Sequence, residues 1–128
     1  MELLTIISML ALLQFFYFAV QVGGARGKYG VSAPATTGNE VFERYFRVHY
    51  NTMEHLVLFL PGLWAFGFYV SYVYAAALGA VYLLGRLIYA VTYVKNPKSR
   101  EIGAIASTLP CIVLVVGALV GAVMKLFG

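Results

Sequence analysis

The chain has 128 residues, of which 62% are apolar and only 11% charged, against about half and about a quarter in an ordinary soluble domain. The apolar runs are continuous rather than alternating, which excludes a transmembrane β-barrel, and four spans of about 20 residues each leave no length for a separate soluble domain. The net charge of +4 comes from basic residues that flank the apolar runs, so it reports orientation in a membrane and gives no reason to expect a nucleic-acid partner.

The first apolar run, residues 3–25, is longer than the core of a secretory signal, and Glu2 stands where such a signal carries positive charge. It is expected to be a retained membrane helix. Gln14 and Gln21 lie two turns apart on one face, which suits hydrogen bonds to neighbouring helices. Residues 26–40 read as a loop, because Gly27, Gly30, Pro34 and Gly38 interrupt helix. Asn39 is a candidate N-cap for the second helix.

That second helix is expected over residues 40–67, kinked at Pro61. It begins in charge and ends in apolar residues. Arg47, Asn51 and Glu54 fall at i, i+4 and i+7 and share one face, with Arg44 one turn below. A charged stripe against lipid is expensive, so it must face a protein cavity, a water-filled cleft or a bound polar ligand. After an uncharged turn near 67–71, a third span over 70–94 carries Tyr82, Arg86, Tyr89 and Tyr93 on one face. Asn96 and Pro97 read as N-cap and first residue of a fourth span over 97–126, with Pro110 a second kink site. Gly117 and Gly121 form a G-x-x-x-G pair, a spacing that allows close helix packing between subunits. The single cysteine, Cys111, excludes an intrachain disulfide and reads as an inert packed thiol.

Charge orients the bundle. Arg26 and Lys28 follow the first span; Lys95, Lys98 and Arg100 follow the third. Two spans separate these sites, so they share one side, and positive charge marks it as cytoplasmic. Both termini then lie on the opposite side, with only Lys125 dissenting.

Polar faces of the second and third spans thus approach the cytoplasmic side together with Arg100. The set Arg44, Arg47, Arg86, Arg100, Asn51, Glu54, Tyr89 and Tyr93 holds more positive than negative charge. A ligand with two carboxylates and one ammonium suits it, since arginine pairs bidentately with carboxylate and Glu54 can take the ammonium. A purely structural reading stands beside this one. In it Glu43 and Arg47 form an i,i+4 pair, Arg44 snorkels to headgroups, Arg86 locks to Glu54 across the bundle, and the tyrosines are packing residues. His49 and His55 lie on different faces with no cysteine or aspartate to complete a ligand set, so no metal is expected. No glycine-rich loop follows a strand, so nucleotide binding is not expected either.

The stretch FERYFRVHYNTMEH at 42–55 resembles the signature of the membrane-associated proteins in eicosanoid and glutathione metabolism. The resemblance covers nearly the whole chain. It includes the VSAPATTG loop at 31–38, LGRLIYAVTYV at 84–94 and the basic residue Arg100. R-x-x-x-N-x-x-E followed by R-x-x-Y-x-x-x-Y is specific as a combination, whereas either half alone is weak.

The resemblance implies an all-α integral membrane fold: one domain over 1–128, four transmembrane helices per subunit, and a homotrimer that binds glutathione between subunits near the cytoplasmic side. By position, Arg47, Asn51 and Glu54 match glutathione contacts of the second helix, Arg26 a basic contact closing the first, and Tyr89 and Tyr93 contacts of the third. Arg100 matches the arginine placed at the thiol, and Arg86 a structural basic position. His55 is taken as a further glutathione contact, although leukotriene-forming members carry tyrosine there. Gly27 and Gly30 also depart from the pattern, replacing basic residues.

The activity implied is glutathione transfer to a hydrophobic electrophile, with peroxidase activity on a lipid hydroperoxide as an extension; glutathione is the cosubstrate and membrane lipids are partners. Two alternatives remain at this level. A non-catalytic lipid-binding scaffold of the same fold would not need Arg100. A small transporter or channel built on Arg47, Glu54 and Arg86 would need polar residues through the full membrane thickness, and the outer halves of the second and third spans are apolar.

Overall fold

The computed structural model describes residues 1–128 as four long helices. They are α1 (Glu2–Tyr29), α2 (Glu40–Tyr69), α3 (Tyr72–Lys95) and α4 (Glu101–Phe127), with a short 3-10 turn at Pro97–Ser99 before α4.

Local chemistry sets each boundary. The helix α1 runs past the expected stop at residue 25 and takes Arg26 and Gly27 into its last turn. A helical glycine costs about 1 kcal/mol relative to alanine, which weakens a helix without ending it. The stop comes at Gly30, whose φ of 70° lies in the left-handed region and whose N–H closes on the Arg26 carbonyl. Arg26 and Lys28 then sit where the helix dipole favours cations. Asn39 caps α2 as expected, its Oδ1 accepting from Phe42 N at 3.0 Å. Ser71 caps α3 through Tyr74 N at 3.2 Å. Asn96 caps the 3-10 turn rather than α4 itself, accepting from Lys98 N at 3.1 Å. Pro97 opens that turn, and Arg100 becomes the residue on which α4 begins.

Aromatic and aliphatic side chains fill the centre. Leu56, Phe59, Leu63 and Phe66 of α2 meet Tyr82 of α3 and Cys111 and Leu114 of α4. Phe59 and Tyr82 stack with centroids 3.9 Å apart. Cys111 is buried in this cluster, as an inert thiol should be. On the other side, α1 is tied by Trp64 Nε1, which donates to Ser8 Oγ at 2.9 Å, and by Gln14, whose amide donates to the Leu83 carbonyl at 3.0 Å. Gln21 does not join another helix; its only hydrogen bond runs one turn back to the Tyr17 hydroxyl at 3.4 Å.

The helices α3 and α4 cross at backbone contact. A methyl group on Gly85 would lie 2.6 Å from the Ala106 carbonyl carbon, and one on Gly103 would lie 2.5 Å from Tyr89 Cα. Gly117 and Gly121 have a different neighbour from the one their spacing suggests. They face α2 of the same chain, where a methyl on Gly117 would meet the Phe66 ring at 2.5 Å and one on Gly121 the Tyr69 Cβ at 3.1 Å. That pair is consumed inside the subunit and is not left for packing between subunits.

Only 29 of 128 residues are buried within the chain, and large apolar side chains such as Phe16, Val57, Leu84, Ile105 and Leu119 lie exposed. That much apolar surface requires lipid or protein around it. Three helices, α1, α3 and the segment Pro97–Phe127, are long and apolar enough to cross a membrane. The helix α2 does not qualify, because charge occupies its first half.

A Gly103→Ala substitution is expected to destabilise the purified protein by about 1–3 kcal/mol, because the methyl has only backbone to displace. Gly27→Ala, which meets nothing within 4 Å, is expected to be neutral or slightly stabilising. Thermal unfolding in detergent checks both; equal melting of the two variants would show that the α3–α4 crossing is looser than described.

Candidate functional site

One end of the bundle carries a polar hollow of about 350 Å³. The first two turns of α2 supply Glu40, Glu43, Arg44 and Arg47; the end of α3 supplies Tyr93; the 3-10 segment supplies Pro97 and Arg100. Asn39 and Asn96 cap these elements and so fix the directions from which α2 and the 3-10 turn bring their side chains in.

Charges around the hollow are not balanced. Arg44 is committed to the fold: one guanidinium nitrogen donates to the Val94 carbonyl at 3.0 Å, and another pairs with Glu40 at 3.3 Å. The ion pair that forms is therefore Glu40–Arg44, and not the Glu43–Arg47 pair of equal spacing. Glu43 instead accepts a long hydrogen bond from Gly38 N at 3.4 Å. Arg47 and Arg100 have no carboxylate within ion-pair distance, since the chain's two ion pairs are Glu40–Arg44 and the N-terminus with Glu2. Two uncommitted guanidiniums and the Tyr93 phenol thus face one opening. Such a set suits an anion, since Arg offers a bidentate fork to a carboxylate, although Glu40 and Glu43 also line the hollow.

Beneath the hollow lies a buried polar layer. Tyr93 stacks on Tyr89 with centroids 5.3 Å apart, and the Arg86 guanidinium covers the Tyr89 ring at 4.5 Å. Arg86 is 0% exposed. Its Nη1 donates to Asn51 Oδ1 at 3.0 Å and to Ser107 Oγ at 3.3 Å. His55 lies beside it. The Nδ1 of His55 is 2.8 Å from the Asn51 carbonyl and its Nε2 is 2.9 Å from the Thr108 hydroxyl. A carbonyl only accepts, so Nδ1 carries the proton and Nε2 accepts from Thr108. With that tautomer the 3.4 Å approach of Arg86 to Nδ1 is a contact between two donors.

The Arg86–Glu54 lock of the purely structural reading does not form. Asn51 and Glu54 differ by about 60° around α2. Asn51 turns inward to Arg86, and Glu54 turns outward and is exposed. An uncharged amide, a hydroxyl and an aromatic face stand where that reading put a carboxylate counter-ion.

The anticipated site residues therefore divide into groups. Arg47, Tyr93 and Arg100 meet at the hollow, with Tyr89 directly behind. Asn51 and His55 are engaged inside the bundle. Glu54 lies on the outer surface of α2. Arg26 is held apart on α1, donating to the Ala35 carbonyl at 2.7 Å and stacking over Phe42 at 4.9 Å. His49 is a packing residue, stacked on Phe15 at 4.7 Å. Sequence reasoning passed over Ser107 and Thr108. Two adjacent hydroxyls inside an apolar helix were the available signal, because such groups seek partners across helices.

Asn51→Ala removes the shortest hydrogen bond to a buried charge, and is expected to lower stability by about 1.5–3 kcal/mol. Thermal unfolding in detergent without added ligand reads this. An unchanged midpoint would show that Asn51 does not hold Arg86.

Comparison with known proteins shows the family of the chain. The model of the MAPEG family matches residues 4–120. The uncharacterized protein sll1147 of Synechocystis sp. is 49% identical over 121 residues, covering 94% of this chain and 88% of its own. Microsomal glutathione S-transferase 2 of Homo sapiens is 45% identical over 101 residues, covering 79% of this chain and 69% of its own. Leukotriene C4 synthase of Bos taurus is 38% identical over 119 residues, covering 93% and 79%. Matched over nearly its whole length, with a helical bundle and three helices long and apolar enough to cross a membrane, the chain belongs to the MAPEG family.

Proposed function

We propose that this protein is a membrane-bound glutathione transferase that activates the glutathione thiol for attack on hydrophobic electrophiles. The observation that carries the reading is the pair of uncommitted guanidiniums, Arg47 and Arg100, beside Tyr93. Glutathione has two carboxylates, one ammonium and a thiol, so it supplies the anionic groups this pair lacks. The names of two relatives, a glutathione S-transferase and leukotriene C4 synthase, support the same chemistry.

In this reading α2 crosses the membrane as the fourth span. Its 30 residues reach about 45 Å at 1.5 Å per residue, well beyond a hydrocarbon core of about 30 Å. The charged first turns therefore project past the core, on the side where Arg26, Lys95, Lys98 and Arg100 collect, which the excess of positive charge assigns to the cytoplasm. The chain assembles as a homotrimer. Glu54 and Arg26 then act across the subunit boundary, Glu54 toward the ammonium and Arg26 toward a carboxylate. Asn51 and His55 contribute from the buried layer behind the site.

A free cysteine thiol has a pKa of about 8.5, and the thiolate is the nucleophile. Lowering that value by about 2 units requires about 2.7 kcal/mol of preferential thiolate stabilisation. A partly desolvated guanidinium at Arg100 is the group for this, and its place at the start of α4 adds about 0.3–1 kcal/mol from the helix dipole. The remaining contacts orient the tripeptide. The thiolate attacks the electrophilic carbon, a C–S bond forms, and the halide leaves or an enolate takes up a proton. With a lipid hydroperoxide, sulfur takes the terminal oxygen, an alcohol leaves, and a second glutathione completes the disulfide with loss of water. The scaffold alternative gives no role to an uncommitted arginine at Arg100.

Arg100→Ala is expected to lower kcat with an activated aryl halide by about 100-fold while weakening glutathione binding by less than about 10-fold. The rising limb of its pH–rate profile should move up toward about pH 8.5, because the thiol regains its ordinary acidity. Equal losses in turnover and affinity, with an unmoved profile, would show that Arg100 only binds.

A further inference from the structure

A second feature lies on another face of the bundle and shares no residue with the Arg47–Arg100 hollow. The helices α1 and α3 leave a groove between them, made of two adjoining hollows of about 340 and 320 Å³, and a third of about 180 Å³ continues it along α1 beside Tyr45 of α2. Tyr17 and Leu87 line both the first and the second hollow; Gln21 and Tyr45 line both the second and the third. The three hollows therefore adjoin one another along α1.

Its chemistry changes along its length. The innermost part is lined by Leu10, Leu13, Leu83 and Leu87, with Gln14 as its one polar side chain, the amide of which donates to the Leu83 carbonyl. The middle is lined by Phe18, Ala90, Val91 and Val94. The mouth carries Gln21, Lys28, Tyr45 and Lys95. No carboxylate lines any of the three hollows, and neither lysine is in an ion pair. The Lys28 ammonium rests 5.5 Å from the Tyr29 ring centroid. From Leu10 to Gln21 the α1 axis rises about 16 Å, and half of a bilayer's hydrocarbon core is about 15 Å. The apolar part thus matches one leaflet, and the lysines and tyrosines fall at headgroup depth, where such residues belong.

We propose that the α1–α3 groove is a binding site for an anionic phospholipid, with one acyl chain lying along Leu83, Leu87 and Val91 and the phosphate received by Lys28 and Lys95. The apolar lining supplies affinity for any chain of suitable length. The two uncompensated lysines supply headgroup selectivity, each about fivefold near a membrane surface. The site is independent of glutathione binding.

Native mass spectrometry of the full-length protein, released from bilayers containing equal phosphatidylglycerol and phosphatidylcholine with the same acyl chains, tests this. Phosphatidylglycerol is expected to be retained at least tenfold over phosphatidylcholine. The K28Q/K95Q variant should keep lipid but lose the preference. Val91→Trp, at a position 55% exposed, should fill the groove and lose both lipids without lowering the melting temperature. Equal retention of the two lipids by the unaltered protein, or a preference that survives K28Q/K95Q, would overturn the proposal. So would a photo-crosslinker at Leu87 that captures a second copy of the chain in place of lipid, because the groove would then be a subunit interface.

Discussion

A single guanidinium without a counter-ion organises this bundle. Arg86 is fully enclosed, and a charge removed from water is costly unless its donors are used. Here the partners come from three helices. Asn51 is on α2, Tyr89 is one turn along α3, and Ser107 is on α4. Sliding any of these helices by one residue would break a contact with the charge, so Arg86 sets their mutual register. That register places Tyr89 behind Tyr93 and Tyr93 beside Arg100. The hollow is thus a consequence of where the buried arginine finds its partners. Nε and Nη2 remain without partners. The ring of Tyr89 covers the guanidinium and adds a cation–π contact to the Nη1 hydrogen bonds.

Around this polar centre the bundle is held by close backbone approach. Hydrophobic collapse gives little between helices when the surroundings are themselves apolar, so small residues and dispersion contacts carry the packing. Gly85 and Gly103 let α3 and α4 touch, and Gly117 lets the edge of the Phe66 ring reach α4. The same logic leaves an incomplete outer surface. Glu54 and Arg47 project from one edge of α2, and neither has a partner within the chain. In the proposed homotrimer a second copy against that edge would enclose both.

Much of the architecture was legible in the residues. Four apolar runs gave four helices, and the caps at Asn39 and Asn96 were visible as asparagines ahead of helix-forming segments. The α3 face carrying Tyr82, Arg86, Tyr89 and Tyr93 was legible from spacing alone. Other features were not, for identifiable reasons. The end of α1 was placed too early because Gly27 and Gly30 look alike in sequence; only the second takes the left-handed conformation that ends a helix. Gly117 and Gly121 carry a spacing that does not say which helix they meet. The purely structural reading paired Arg86 with Glu54, but Asn51, about 60° away around the helix, is the one that points inward. The split of the candidate site followed from that rotation. Arg26 was assigned to the same ligand, whereas within one chain its side chain folds back onto the Ala35 carbonyl and Phe42.

The central claim is that Arg47 and Arg100 form an anion site for the glutathione peptide. Calorimetric titration of the detergent-solubilised protein with glutathione and with ophthalmic acid, its analogue without sulfur, tests that claim most directly. Binding of both is predicted, with proton release on binding seen only for glutathione, as its thiol ionises against Arg100. A protein indifferent to both peptides at millimolar concentration would contradict the assignment of the hollow.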